Sequence, residues 1–178
     1  MVRVLLAALL LLPHIALAAV AGSPQEVRPV LVGSTAPDAP LRTLDDQATT
    51  LHAQLAGKPT VLVFYRGGWC PYCNLQLSEL RHLVPELARS GFQMIALSPD
   101  RPLELAKTLD QHKLEYTLLS DSSASAMQRY GIAFRVDDAT AAKYADYGID
   151  LAAASGESHQ ALPVAYFMAR CVPRWRSL

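Results

Sequence analysis

Apolar positions along this chain fall into two kinds of run, separated by Gly, Pro and Ser. Thr60-Val61-Leu62-Val63-Phe64-Tyr65 is continuous and rich in β-branched residues, the pattern of a strand buried on both faces of a parallel sheet. Phe92 to Leu97 repeats it, and Tyr116 to Leu119 gives a third, shorter strand. From Pro71 onward Leu77, Leu80, Leu83, Val84, Leu87 and Ala88 recur at helical spacing, closed by Arg89-Ser90-Gly91. Pro85 lies inside that pattern and predicts a kink or break near Val84. Further helices are expected over Pro102 to His112 and Ala124 to Tyr130, with a short helical turn at Leu51 to Leu55. Strands alternating with helices of this length predict an α/β domain with parallel pairing.

The remaining segments are less regular. Residues 19–40 are rich in Ala, Gly, Ser and Pro without periodicity; 19–32 read as an extended lead-in, and the domain itself spans 33–178. Residues 135–160 carry no strand signal and read as an insertion, helical around Ala139 to Tyr147. Its Tyr144, Tyr147 and Ile149 could cover a site or dock a partner. Val164 to Met168, reached through Leu162-Pro163, is the last strand candidate. Beyond Met168, Pro173 argues against a central strand, and the few residues left are too short for a closing helix.

At the N-terminus, Met1-Val2-Arg3 precedes an unbroken apolar run from Val4 to Leu12, followed by Ala16-Leu17-Ala18. A short basic start, a short apolar run and small residues two apart describe a signal peptide over 1–18. Cleavage is expected after Ala18, with Ala21 as second choice. The run is shorter than the roughly 20 residues a spanning helix needs, so no stable membrane anchor is expected. The mature chain should be exported, periplasmic or secreted, where disulfides persist.

Charge narrows the range of partners. The 16 Lys+Arg residues balance the 16 Asp+Glu residues, and no basic cluster offers a footprint for nucleic acid. Apolar residues make up 51% of the chain and charged ones 18%, a globular composition and not a disordered one. Three cysteines are too few for a disulfide-stapled scaffold.

The chemistry is carried by Trp69-Cys70-Pro71-Tyr72-Cys73, directly between the first buried strand and the long helix. A cysteine at a helix N-terminus meets unpaired N–H groups and the positive end of the dipole, both of which favour a thiolate. Cys70 is therefore the candidate nucleophile. Cys73, one turn further in, is the candidate resolving thiol, and Pro71 suits a first helical turn that needs no N–H. A structural zinc site would need two more ligands at matching spacing. An inert bridge would gain little from so small a loop. Trp69 beside the thiol suits shielding of the sulfur, with packing as the plainer account.

The segment Val61 to Cys73 resembles the active-site region of thioredoxin-fold proteins, and within them the peroxiredoxin-like branch of the alkyl hydroperoxide reductase/thiol-specific antioxidant family. Gly33-Ser34-Thr35-Ala36-Pro37-Asp38 and Ile95-Ala96-Leu97-Ser98-Pro99-Asp100 support it. The resemblance implies a thioredoxin-like α/β fold with a central mixed sheet flanked by helices; the family's pattern closes with a further antiparallel strand and a helix, so by the same resemblance that C-terminal strand and helix are expected to be truncated and Cys171 to be an accidental free thiol. It also implies reduction of hydroperoxides through the Cys70/Cys73 dithiol, or else exchange with protein disulfides, with an external thioredoxin-like dithiol as reductant and no metal or organic cofactor. A non-catalytic binding module of the same fold is the third reading. By the same resemblance Pro163 is a candidate for a cis-proline facing the cysteine pair. Arg66, or failing it Arg135, is a candidate for the arginine that supports the thiolate, with a solvated loop charge as the plain alternative for Arg66. Seven and three residues before Cys70, where the family carries Pro and Thr, this chain has Val63 and Gly67.

Overall fold

A computed structural model of the chain describes residues 20–156, 161–163 and 167–171. The expected signal peptide, Val164 to Tyr166 and residues 172–178 lie outside them. Three strands form the centre: β3 (Thr60–Phe64), β4 (Gln93–Ser98) and β5 (Thr117–Ser120). β4 pairs in parallel with both neighbours. Two short strands the sequence reading missed, β1 (Pro40–Arg42) and β2 (Ala48–Thr50), form a hairpin that extends the sheet beyond β5. At three residues each they are too short to show a period.

On the other side β8 (Phe167–Cys171) pairs antiparallel with β3, completing the order β2-β1-β5-β4-β3-β8. β8 overlaps the expected Val164–Met168 strand at Phe167 and Met168, and the segment after it, 172–178, where the truncation is expected, lies outside the described residues. Cys171 pairs through its backbone with Thr60. Ahead of it, the expected lead-in Leu162-Pro163 forms part of β7 (Ala161–Pro163), which pairs with β6 (Ala133–Arg135) in a separate two-stranded sheet.

Alternation along the central strands builds the two cores. Leu62, Phe64, Ile95, Leu97 and Leu119 face one side, with Met127 of α5 (Ser125–Arg129), Tyr130 that caps its C-terminus, and Leu51 from α1 (Leu51–Leu55). Val63, Tyr65, Met94, Ala96 and Leu118 face the other, against Leu77 of α2 (Pro71–Leu80) and Leu105 of α4 (Pro102–His112). Burying both faces explains why these strands read as unbroken apolar runs. The long helix breaks where Pro85 predicts: α2 passes through a 3₁₀ turn at Arg81–Leu83 into α3 (Val84–Arg89), because Pro85 cannot donate to the preceding turn.

The lead-in is docked on the domain through backbone hydrogen bonds from Arg28 to Gly131 and from Val30 to Tyr130. The 135–160 segment forms α6 (Asp138–Asp146) and α7 (Leu151–Ser155), each capped by an aspartate, Asp137 and Asp150. Its apolar side meets Trp69 in a third cluster with Val136, Leu151, Leu162, Tyr144 and Ile149. Among the described residues no helix is long and apolar enough to cross a membrane.

Candidate active site

The chain leaves β3 at Phe64, turns through Arg66-Gly67-Gly68-Trp69 and starts α2 with Cys70 as its N-cap. Cys70 Sγ accepts the Cys73 N–H at 3.4 Å, so the sulfur occupies the place a serine or aspartate oxygen takes in an ordinary cap. Both cysteines are unbridged thiols and each is 1% exposed. Pro71 opens the helix as expected.

Arg66 does not extend into solvent. Its Nη2 donates to Cys70 Sγ at 3.2 Å and its Nη1 to the Tyr144 hydroxyl at 3.1 Å. The guanidinium also lies over the Trp69 ring, 5.6 Å from its centre. Trp69 and Tyr144 pack ring to ring at 5.4 Å, tilted by 52°. Thus Trp69 both packs and covers, and Tyr144 of α6 closes the site from a segment the sequence left unassigned. Ile149 joins the same cluster, whereas Tyr147 is exposed.

Burial pushes the Cys70 thiol up, but hydrogen bonds from Cys73 and then the Arg66 cation bring it below the ordinary thiol range. The partnership acts on Arg66 as well: burial opposes its charge, yet contact with Cys70 holds it above the usual arginine value.

The loop is anchored from below. Gly68 N–H donates to Asp100 Oδ2 at 2.6 Å, and Asn74 Nδ2 donates to Gly68 O at 2.6 Å. Gly67 sits at φ 150° with its would-be Cβ 2.3 Å from Trp69 Nε1 and 2.7 Å from Asp100 Oδ1, so a side chain there would strain both the backbone and its neighbours. Asp100 is 1% exposed, and its Oδ1 has no hydrogen-bond partner. Burial raises its pKa to about 7, against the pull of the Gly68 N–H. Sequence reasoning used Asp100 only as part of a resemblance. Its function as the anchor depends on β4 lying beside β3, which no local pattern announces.

Two sequence candidates stand elsewhere. Pro163 is buried in β7 opposite Ala133, and no cis peptide bond occurs among the described residues, so the cis-proline expectation is corrected. In this ladder Pro163 holds an ordinary trans strand position. Arg135 is exposed on β6, opposite Ala161, leaving Arg66 as the arginine at the thiol. Among the described residues no group of three or more His, Cys, Asp or Glu side chains could hold a metal.

A family model described as the AhpC/TSA family matches residues 32–159. The chain belongs to the AhpC/TSA family. Peroxiredoxin Bcp of Escherichia coli is 27% identical to it over 106 residues, which cover 60% of this chain and 67% of that protein. Among solved structures, peroxidoxin BcpB from Mycobacterium tuberculosis superposes with a TM-score of 0.59 at 21% identity, covering 79% of each chain. Reduced Prx3 from Vibrio vulnificus, solved in complex with hydrogen peroxide, gives 0.57 at 22% identity, covering 61% of this chain and 72% of that one. These likenesses show the thioredoxin fold. The match places this AhpC/TSA chain's dithiol loop, α2 and most of the 135–160 segment within the family domain.

Proposed function

We propose that this chain is a peroxiredoxin-like thiol peroxidase that reduces hydroperoxides through Cys70, with Cys73 as the resolving thiol. The observation that carries the reading is the Cys70 sulfur, 1% exposed and held at 3.2 Å by Arg66. A small hydroperoxide can approach a sulfur enclosed by Arg66, Trp69 and Tyr144, whereas a folded protein disulfide needs that cover removed. The Cys70 thiolate attacks one peroxide oxygen, an S–O bond forms as the O–O bond breaks, and an alcohol or water departs. The Cys70 sulfenic acid then condenses with the Cys73 thiol, releasing water and leaving a disulfide. An external thioredoxin-like dithiol restores the reduced pair through a mixed disulfide.

Exchange with protein disulfides is the second reading, favoured by the C-P-Y-C spacing with Cys70 as the cap of α2. Stopped-flow oxidation followed by Trp69 fluorescence separates the two. Rapid reaction with hydrogen peroxide, lost in C70S, supports the peroxidase. Reaction no faster than a free thiol, alongside rapid reduction of a protein disulfide, moves the chain to the exchange class.

The same proposal includes export. The Arg3 start, the Val4–Leu12 apolar run and Ala16-Leu17-Ala18 support removal of residues 1–18. N-terminal sequencing of the mature chain tests it, with Ala19 expected as the first residue.

A further inference from the structure

The loop that carries Cys70, Arg66-Gly67-Gly68-Trp69-Cys70, contains no hydroxyl side chain, yet the site contains one. Arg66 uses two nitrogens of a single planar group to reach Cys70 Sγ at 3.2 Å and the Tyr144 hydroxyl oxygen at 3.1 Å. The phenol is therefore held within the span of one guanidinium from the reacting sulfur, 74 residues away in the chain (144 − 70).

The direction of that hydrogen bond matters. A guanidinium has donors and no acceptor, so Tyr144 receives from Arg66 through a lone pair and cannot donate back. Its own hydrogen remains available to a third group. The adjacent cation polarises the phenol and strengthens what it donates. The ring is held by Trp69 at 5.4 Å and by α6, whose first turn is capped by Asp137.

We propose that the Tyr144 hydroxyl donates a hydrogen bond to the hydroperoxide as it reacts at Cys70, making Tyr144 a catalytic residue in addition to part of the cover. This role rests on the peroxidase reading above. As the Cys70 lone pair forms the S–O bond and the O–O bond breaks, negative charge moves from sulfur to the departing oxygen. Sulfur is oxidised to a sulfenic acid and the peroxide reduced to an alcohol, or to water from hydrogen peroxide. The departing oxygen takes its proton from solvent. Arg66 stabilises the charge at its origin on sulfur, and Tyr144 stabilises it at its destination. A donor aimed where charge develops lowers the barrier without strengthening the ground state equally.

Y144F tests this, because it keeps the ring against Trp69 and removes only the hydroxyl. The reduced wild type and variant are each mixed with hydrogen peroxide, and separately with iodoacetamide, which needs the thiolate and no oxygen donor. The expected result is a peroxide rate lowered about 10–100-fold in Y144F, with alkylation within about twofold of wild type. An unchanged peroxide rate overturns the role. So does an equal fall in both reactions, since Tyr144 would then act only by holding Arg66. A wild type that reacts with peroxide no faster than a free thiol overturns the peroxidase reading and this role together, whereas a fast wild type with an equally fast Y144F overturns this role alone.

Discussion

Asp100, at the end of β4, holds the active-site loop through Gly68: its Oδ2 accepts the Gly68 N–H at 2.6 Å while the carboxyl stays buried. The geometry of the Cys70 loop thus hangs from an acid in the bend two residues past the neighbouring strand, and the protonation of that acid becomes part of the stability of the fold.

The first prediction concerns pH. Burial raises both Asp100 and Asp121 to about 7, although backbone N–H groups, from Gly68 and from Ala126 and Met127, pull the other way. Between about pH 4 and 7 the folded chain therefore keeps protons that the unfolded chain has released. Stability contributed by these groups is full at low pH and falls as pH rises, by at most about 1.4 kcal/mol per pH unit for each carboxyl. Urea midpoints measured from pH 4 to 8 should decline across this window. Asp100→Asn, which can still accept from Gly68, should flatten the decline, and an unaltered slope would show that Asp100 does not hold the proton.

Arg66→Met should raise the pKa of Cys70, because it removes the cation that helps offset burial. Less thiolate is then present at neutral pH, and alkylation at pH 7 should slow by roughly tenfold, the scale of one charge-assisted hydrogen bond. Arg66→Lys should recover part of the rate, since it keeps the charge but loses the fork that spans Cys70 and Tyr144. A pH profile of iodoacetamide reaction whose midpoint does not move in R66M would refute the assignment.

C73S should stop the reaction after its first step. Peroxide should then convert Cys70 to a sulfenic acid that dimedone traps, visible as a single adduct by mass spectrometry. C70S should form no adduct. The opposite pattern, with C70S trapped and C73S inert, would exchange the roles of the two thiols.

Asp137 caps α6 with both oxygens, accepting the Thr140 N–H at 2.8 Å and the Thr140 hydroxyl at 2.9 Å. Asp137→Ala should cost about 1 kcal/mol of local helix stability. Because α6 carries Tyr144, hydrogen exchange over 139–146 should accelerate and a bulky thiol reagent should reach Cys70 faster. Unchanged exchange and access would mean that the cover does not depend on this cap.

Gly68→Ala should destabilise the chain by about 1–3 kcal/mol, since its Cβ would lie 1.9 Å from Thr108 Oγ1 on α4. Thermal unfolding checks this, and Thr108→Ala in the same chain should restore part of the loss.

How much of this was legible beforehand follows from where the determinants lie. The central strands, the break at Pro85 and the helix beginning at Pro71 were readable because buried runs, proline and capping act over a few neighbouring residues. Cys70 and Cys73 were readable for the same reason. β1, β2 and β6 were not, since three-residue strands depend on the partners they meet. β8 was legible in part: its start at Phe167 and Met168 lies in a local apolar run, whereas its extension to Cys171 depends on pairing with β3.

The sequence by itself determined an α/β domain with a dithiol at the N-terminus of a helix, because periodicity and cap chemistry are properties of adjacent residues. Only the tertiary structure decided that Arg66 turns inward to the sulfur, that Tyr144 meets it from α6, and that Asp100 holds Gly68 from the bend past the neighbouring strand. Those contacts join residues up to 78 positions apart, and their energy exists only once the sheet has brought β3, β4 and the 135–160 segment to one edge.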